Sequence, residues 1–154
     1  MKKSIVMFLA AAAMTAAALA QTLAPTSVTG AGAATFPSGA VLSGVSLSTM
    51  RFGVGVALAA DGTASGDFQG TLLGAQSRRI LVVGKASSAT TTLLGVPTIS
   101  GTCTLDLGDG SAPTTVPFAI TVAKATNGTW NLTLAVGGTT LPVAPVTSGS
   151  VTVQ

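Results

Sequence analysis

Residues 116–136 read VPFAITVAKATNGTWNLTLAV, which is two alternating runs on either side of the pair Asn127-Gly128. Large apolar side chains occupy every second position over 116–122 and again over 130–136. Because successive side chains of a strand point to opposite faces, each run has one apolar face and one face of small, hydroxyl-bearing or amide residues. Asn-Gly tolerates the positive φ angles of tight hairpin turns. The stretch therefore predicts an antiparallel β-hairpin.

The same two-residue period runs through the rest of the chain after the first twenty residues. Apolar residues alternate with arginine, glycine or alanine over 51–58, and with serine, threonine or aspartate over 99–107. The turn-forming pairs Asp61-Gly62, Asp109-Gly110 and Gly137-Gly138 lie between such runs, and no segment there shows a helical period. We predict strands at 27–36, 45–59, 65–73, 79–86, 90–94, 98–107, 116–124, 129–136 and 148–153.

This pattern predicts an all-β domain, an antiparallel meander of eight or nine strands joined mostly by short turns. A small closed barrel is favoured over a two-sheet sandwich, because Gly53 and Gly55 within one strand permit tight bending. Segment 74–97 is the hardest to assign, since Ile80–Val83 is a continuous apolar run. Such a run is typical of a strand covered on both faces or of a buried helical turn.

The first twenty residues have the composition of a secretory signal peptide. Met1-Lys2-Lys3 is positive, 5–13 is apolar, and Ala18-Leu19-Ala20 places small residues before a cleavage point. A short membrane anchor is the alternative, but the apolar stretch is shorter than the roughly 20 residues that span a bilayer. We expect a signal-peptide helix at 1–20, removed on export, and one β domain at 21–154. We expect a secreted or periplasmic protein. The alanine-rich composition of the first twenty residues is typical of bacterial signal peptides.

Composition excludes most catalytic and metal chemistry. Charged residues make up 7% of the chain, against an average of roughly 25%. The chain has no histidine and one cysteine, so a Ser-His-Asp nucleophile and a zinc site are excluded. Loss of Lys2 and Lys3 takes the seven basic residues to five against four acidic ones, too few and too scattered to follow a nucleic-acid backbone. We expect no enzyme activity and no cofactor.

All four acidic residues are aspartates: Asp61, Asp67, Asp106 and Asp109. Asp61 and Asp109 each precede a glycine, and the common role of such a residue is to accept hydrogen bonds from the turn backbone. Asp106 and Asp109 are three residues apart, so their carboxylates could also converge on a weak calcium site completed by carbonyls and water. A calcium loop usually carries more acids, and the turn role is therefore the main expectation.

Three further features have a structural and a functional interpretation. Cys103 falls on the same face of its predicted strand as Ile99 and Leu105. It is expected to be a small buried apolar residue, with a reactive thiol as the alternative. Trp130 is expected to pack in the core, with lining of a ligand cavity as the alternative. Arg78-Arg79 is typical of a solvated strand edge, with contact to an anionic ligand as the alternative.

One motif pair resembles a known repeat. Residues 105–111 read LDLGDGS and residues 128–134 read GTWNLTL. Together they are similar to the Asp-Phe-Gly-Asp-Gly turn and the later Gly-Thr-Tyr strand of the polycystic-kidney-disease (PKD) repeat. The resemblance covers about 100–137 and implies an extracytoplasmic β-module.

A second resemblance spans most of the exported part. Residues 28–32 read VTGAG, 52–53 read FG, 82–86 read VVGKA and 101–106 read GTCTLD. These short motifs resemble secreted bacterial β-domains of the post-COAP type. Neither family implies a catalytic residue; both imply β-modules that act in adhesion or interaction, or whose role is unknown.

The leading interpretation is an exported, non-enzymatic β-module with a structural or binding role, in adhesion or interaction. A surface of threonine, serine and glycine suits proteins or glycans at the cell surface as partners, and membrane contact is expected only through the cleaved signal. The alternative is a carrier of a small apolar ligand inside the barrel, which needs an open interior. Low charge and high β-propensity also predict self-association through the strand edges of 114–122 or 129–136.

Overall fold

The computed structural model describes residues 24–154, and the predicted signal peptide at 1–20 lies outside the described residues. Ten strands and one short 3-10 turn make up the described part. The elements are β1 Ser27–Thr35, β2 Val41–Leu42, β3 Val45–Leu58, β4 Thr63–Gly74, the 3-10 turn Ala75–Ser77, β5 Arg79–Thr91, β6 Pro97–Asp106, β7 Thr114–Lys124, β8 Trp130–Val136, β9 Thr139–Thr140 and β10 Ala144–Val153.

The eight long strands form a closed antiparallel barrel. Strands β3 to β8 pair in sequence order, β8 pairs β10, and β10 pairs β1. β1 then pairs β3 over 27–35, which closes the ring. The short strand β2 pairs with β3, and the short strand β9 pairs with β8. The predicted all-β meander and its closure into a barrel are thus confirmed.

The hairpin at Asn127-Gly128 forms as predicted. β7 and β8 pair in one unbroken register that runs from Phe118 opposite Val136 to Lys124 opposite Trp130. The Oδ1 atom of Asn127 accepts a hydrogen bond from the backbone N–H of Thr129 at 3.0 Å. Together with the hydrogen bond from Gly128 N–H to the Ala125 carbonyl at 2.9 Å, it stabilises the turn.

The assignment of segment 74–97 needs correction. β5 is one strand from Arg79 to Thr91, not two strands at 79–86 and 90–94. Its pairing with β6 shifts register between Ala86 and Ser88, and this bulge is what interrupts the alternation. The Ile80–Val83 run is covered on one face only: Ile80 and Val82 are buried, whereas Leu81 is 41% and Val83 is 50% exposed. The run is therefore a strand, but only one of its faces is covered, and the alternative of a buried helical turn was wrong.

The strand predicted at 148–153 also begins earlier than expected. β10 starts at Ala144, and its first residues pair with Leu132 and Asn131 of β8. A register shift opposite Ala33 and Ala34 of β1 breaks its alternation. The irregular part of the strand therefore shows no two-residue period in the sequence.

Aromatic rings fill the centre of the barrel. The rings of Phe68 and Phe118 stack with centroids 5.9 Å apart and an interplanar angle of 16°. Gly84 of β5 leaves room for them, because a Cβ atom there would lie 2.6 Å from Cε1 of Phe118. Within residues 24–154 no polar or charged side chain is buried. The core is therefore apolar, and its centre is occupied by side chains.

Antiparallel pairing places alternate connections at opposite ends of the barrel. The leucine end, named for Leu93 and Leu94, comprises the connections 59–62, 92–96 and 125–129. The arginine end, named for Arg78, comprises the connections 36–44, 75–78, 107–113 and 137–143. The two chain ends of the described part meet at the leucine end, where Ser27 N–H donates to the Gln154 carbonyl at 2.9 Å.

Candidate ligand cleft at the arginine end

An open cleft of about 660 Å³ lies at the arginine end. This volume is within the range of roughly 300–1,000 Å³ that is usual for small-ligand sites. The start of β3, the turn between β4 and β5, and the loop after β6 surround it. The residues that line it are Gly44, Val45, Ser46, Ala75, Gln76, Ser77, Arg78, Arg79 and Gly108.

The turn between β4 and β5 forms one wall of the cleft in a conformation that is unusual for its residues. Gly74 N–H donates to the Arg78 carbonyl at 2.8 Å, which closes the turn. Gln76 and Ser77 both have φ near +60°. Left-handed backbone at a non-glycine residue costs about 1–2 kcal/mol, and such strain is often found at functional sites. The turn is thus closed by a backbone hydrogen bond, with two residues in the left-handed region.

The loop after β6 lies against Arg79, the first residue of β5. Gly108 has φ +63°, and its Cα lies so close to the Arg79 carbonyl that any Cβ atom would overlap it. Asp106 Oδ1 accepts a hydrogen bond from Gly108 N–H at 2.9 Å. Only glycine fits this combination of close approach and left-handed backbone. The position of the loop relative to Arg79 is therefore fixed.

The arginines give the cleft its charge. Arg78 is half-buried and Arg79 is exposed, and both line the same space. A guanidinium presents parallel N–H donors that match a carboxylate or phosphate group. Since the cleft is open to solvent, these donors are accessible to an anionic group of a ligand.

The carboxylate of Asp109 accepts hydrogen bonds within its own turn. Its Oδ1 atom accepts hydrogen bonds from the Ser111 hydroxyl at 2.5 Å and from Ser111 N–H at 2.9 Å. These two bonds hold the pKa of Asp109 below its ordinary value, and the nearby Arg78 guanidinium adds a smaller lowering effect. The expected turn role of Asp109 is confirmed.

Asp61 shows the same arrangement at the leucine end. Its Oδ1 atom accepts from the Thr63 hydroxyl at 2.7 Å and from Thr63 N–H at 2.9 Å. The hydroxyl bond, followed by the backbone bond, lowers the pKa of Asp61. The turn role predicted for this aspartate is likewise confirmed.

The calcium site considered for Asp106 and Asp109 gains no support from this geometry. Each carboxylate binds an N–H group of its own loop, at Gly108 and at Ser111. In the part of the chain from 24 to 154, no group of three or more metal-ligating side chains comes together. Calcium binding by this pair stays a prediction.

Two other candidate residues lie away from the cleft. Cys103 is 2% exposed in the core, and burial raises the pKa of its thiol; its structural interpretation is confirmed. Trp130 is only half-buried and packs at the margin of the core, with the Lys124 Nζ atom 5.5 Å from its ring centroid. The expectation of a core tryptophan was therefore only partly correct.

Two features of the barrel ends were not predicted. Nothing in the sequence indicates positive φ at Gln76 and Ser77, because neither residue type favours it. Leu93 and Leu94 were assigned to a strand, whereas they lie at the tip of the β5–β6 hairpin. Gly95, which has positive φ in this turn, and the nearby Pro97 were the available signals for a turn at that position.

Comparison of the chain with protein-family models, curated proteins and solved structures gives no match. The resemblances to PKD repeats and to post-COAP-type domains therefore stay predictions. Among the described residues, none of the helical segments has the length and apolar character needed to cross a bilayer.

Proposed function

We propose that this protein is an exported, non-enzymatic binding module whose ligand site is the cleft at the arginine end. The observation that carries the proposal is that Arg78 and Arg79 line one concave space together with a turn that contains two residues of left-handed backbone. Catalytic sites usually gather titratable groups with shifted pKa values in a cleft. The two aspartates with lowered pKa values, Asp61 and Asp109, instead stabilise turns at opposite ends of the barrel.

The chemistry of the lining favours an acidic glycan as the ligand. Arg78 and Arg79 can bind carboxylate groups through paired N–H donors. Ser46, Gln76 and Ser77 offer hydroxyl and amide groups that both donate to and accept from sugar hydroxyls. A polymer at the cell surface that carries both carboxylates and hydroxyls satisfies both halves of this lining.

The alternative of an apolar ligand carrier is less well supported. Such a carrier needs space inside the barrel. The side chains of Phe52, Phe68 and Phe118 are all buried in the core, and Phe68 and Phe118 stack on each other. Gly84 provides space that these rings already occupy. These contacts favour a ligand site on the outside of the barrel.

A calorimetric titration tests the proposed function. The chain from Gln21 is titrated with oligogalacturonate and with a neutral galactan oligomer of equal length. The acidic oligomer should bind, and the variant R78Q/R79Q should weaken that binding at least about tenfold, equal to about 1.4 kcal/mol. The variant K85Q/K124Q removes the same net charge outside the cleft and should leave binding unchanged.

Three results would overturn this proposal. The first is equal binding of the acidic and neutral oligomers, which would show that the arginines do not select the ligand. The second is an equal loss in both double variants, which would indicate unspecific attraction to net charge. The third is no binding of the acidic oligomer at all.

A further inference from the structure

The β5–β6 hairpin presents two leucines to solvent at the leucine end. Leu93 is 98% and Leu94 is 87% exposed. The turn that carries them is well ordered by hydrogen bonds: Thr92 N–H donates to the Val96 carbonyl at 3.1 Å, and Gly95 N–H donates to the Thr92 carbonyl at 2.9 Å. These two adjacent leucines place apolar surface in water, which burial against a partner would remove.

A complementary apolar cleft lies at the same end of the barrel. Its volume is about 310 Å³, which is near the lower limit of roughly 300 Å³ for sites that hold small ligands. Small and apolar residues dominate its lining, and no lining residue is charged. The residues that line it are Ala24, Pro25, Thr26, Leu58, Ala59, Ala60, Gly62, Ala89 and Thr91.

The apolar cleft and the leucine tip are neighbours on one strand. Ala89 and Thr91 of β5 line the cleft, and Leu93 follows Thr91 by two residues. The leucines do not occupy the cleft of their own molecule, since both side chains are almost fully exposed. A bulky apolar protrusion and an apolar hollow therefore lie side by side on one surface.

We infer that the protein forms a two-fold dimer in which each copy inserts Leu93 and Leu94 into the apolar cleft of the other. In a two-fold interface the same surface is used by both copies, so the protrusion of each must meet the hollow of its partner. The leucine tip and this cleft satisfy that requirement on one face. This inference is independent of the proposed glycan binding, which uses the opposite end.

The symmetric contact explains why a second copy is the favoured occupant. Two leucines alone bury far less than the roughly 1,000 Å² that a specific protein interface needs. A two-fold axis doubles every contact and adds the surrounding surface of the leucine end. The tip and the cleft lining carry no charge, but Asp61 lies between the lining residues Ala60 and Gly62. Salt should therefore screen any repulsion between the two Asp61 carboxylates and should not weaken the dimer.

This dimer differs from the self-association predicted from the sequence. The edges of β7 and β8 were the expected contacts, but β7 is paired on both sides within the barrel and β8 pairs β7 on one side and β9 and β10 on the other. Pairing on both sides therefore leaves these two strands no edge for strand addition. The leucine end provides a different, apolar contact.

Sedimentation velocity of the chain from Gln21, over micromolar to millimolar concentrations, tests the inference. The unaltered protein should shift from monomer to dimer as concentration rises, and high salt should not weaken this shift. The variant L93S/L94S removes the protrusion, and A60R fills the cleft from an exposed position. Each should weaken dimerisation at least about tenfold, the factor that corresponds to about 1.4 kcal/mol.

Two controls make the experiment specific. The variant L81S/V83S removes exposed apolar side chains from the barrel wall and should dimerise like the unaltered protein. A mixture of L93S/L94S with A60R keeps one intact protrusion and one intact cleft per pair. That mixture should form more dimer than either variant alone.

The inference fails if the unaltered protein is a monomer at every concentration, or if L93S/L94S dimerises as strongly as the unaltered protein. The same samples are then sedimented with phosphatidylcholine vesicles. A monomer that binds these vesicles through Leu93 and Leu94 would show that a lipid surface, rather than a second copy, covers the tip. That result would also overturn the inference.

Discussion

The middle of the barrel and its two ends follow different rules. In the middle, every second residue points inward, and Phe68 and Phe118 stack in a core without buried polar side chains. At the ends, Gln76 holds a left-handed backbone and Leu93 is 98% exposed. The inward-facing residues are what the fold requires, whereas the end residues reduce stability or solubility without helping the fold. Features that folding does not explain are the better guide to function.

The two ends also differ from each other. The arginine end has a polar cleft with Arg78 and Arg79, and the leucine end has an apolar cleft beside Leu93 and Leu94. Because the long barrel strands separate them, occupation of one end leaves the other accessible. A dimer formed through the leucine ends would therefore present two arginine ends, which would strengthen binding to a polymer that carries many equivalent groups.

The largest effect on stability is expected for Phe118→Ala in the middle of the barrel. Removal of a buried phenylalanine leaves a cavity and costs about 3–5 kcal/mol. Leu81→Ala on the wall is the matched control and should cost less than about 1 kcal/mol. Urea unfolding followed by tryptophan fluorescence measures both. Equal losses would contradict the assignment of Phe118 to a packed interior.

Two glycine substitutions should sharpen the contrast between the inside and the outside of the wall. Gly84→Val places a side chain against the Phe118 ring and should cost about 1–3 kcal/mol or more through overpacking. Gly53→Ala adds a methyl group where nothing lies within 4 Å, so it should be neutral or stabilise by up to about 1 kcal/mol. Denaturant midpoints give both values. A harmless Gly84→Val would mean that the ring does not fill this space.

The glycines also show how far the sequence could predict the fold. Alternation over 116–136 and the Asn-Gly turn defined a hairpin correctly, because both signals are local. The barrel prediction was right, but Gly53 and Gly55 do not support it, since both face open space. Two backbones do approach closely at Gly66, whose φ is +136° and which lies against the Gly55 carbonyl across the β3–β4 pair. Which glycine faces a backbone depends on register between strands, and a single sequence does not specify this.

The candidate site was less predictable than the fold. Arg78 and Arg79 were assigned mainly to a strand edge, with anion contact as the alternative, because the sequence does not show that β4 and β5 meet the loop at Gly108. Leu93 and Leu94 followed a β-branched run and were assigned to a strand. Both cases concern ends of strands, where geometry is decided by neighbours distant in sequence.

Relief of strain at the arginine end should have a smaller effect. Gln76→Gly removes a left-handed backbone cost of about 1–2 kcal/mol. It also makes the unfolded chain more flexible, which lowers the free energy of unfolding by about 0.5–1 kcal/mol. The net expectation is a stabilisation of about 0.5 kcal/mol, seen as a raised urea midpoint. Ala75→Gly, in the same turn without positive φ, should destabilise instead. A loss of stability in Gln76→Gly would show that the side chain itself supports the turn.

The weakest expected effect is a dependence on acid. Since hydrogen bonds lower the pKa of Asp61 and Asp109 in the folded state, their contribution to stability is present above the ordinary aspartate pKa of about 3.9 and is lost as pH falls through the lowered values. The free energy of unfolding should therefore fall as the pH is lowered below about 4. The variant T63V/S111A removes the hydroxyl donors and should flatten this fall. An unchanged slope would contradict the assigned cause.

Whether the barrel is filled can be observed directly by methyl NMR of the chain from Gln21 under increasing xenon pressure. Xenon enters empty apolar cavities and shifts the resonances of the methyl groups that line them. With Phe68 and Phe118 stacked at the centre, the interior methyl groups of Leu72, Ile80 and Ile120 should show no saturable shift. Saturable shifts at these methyl groups would reveal a hollow interior and would favour a carrier of apolar ligands over a module that binds at its ends.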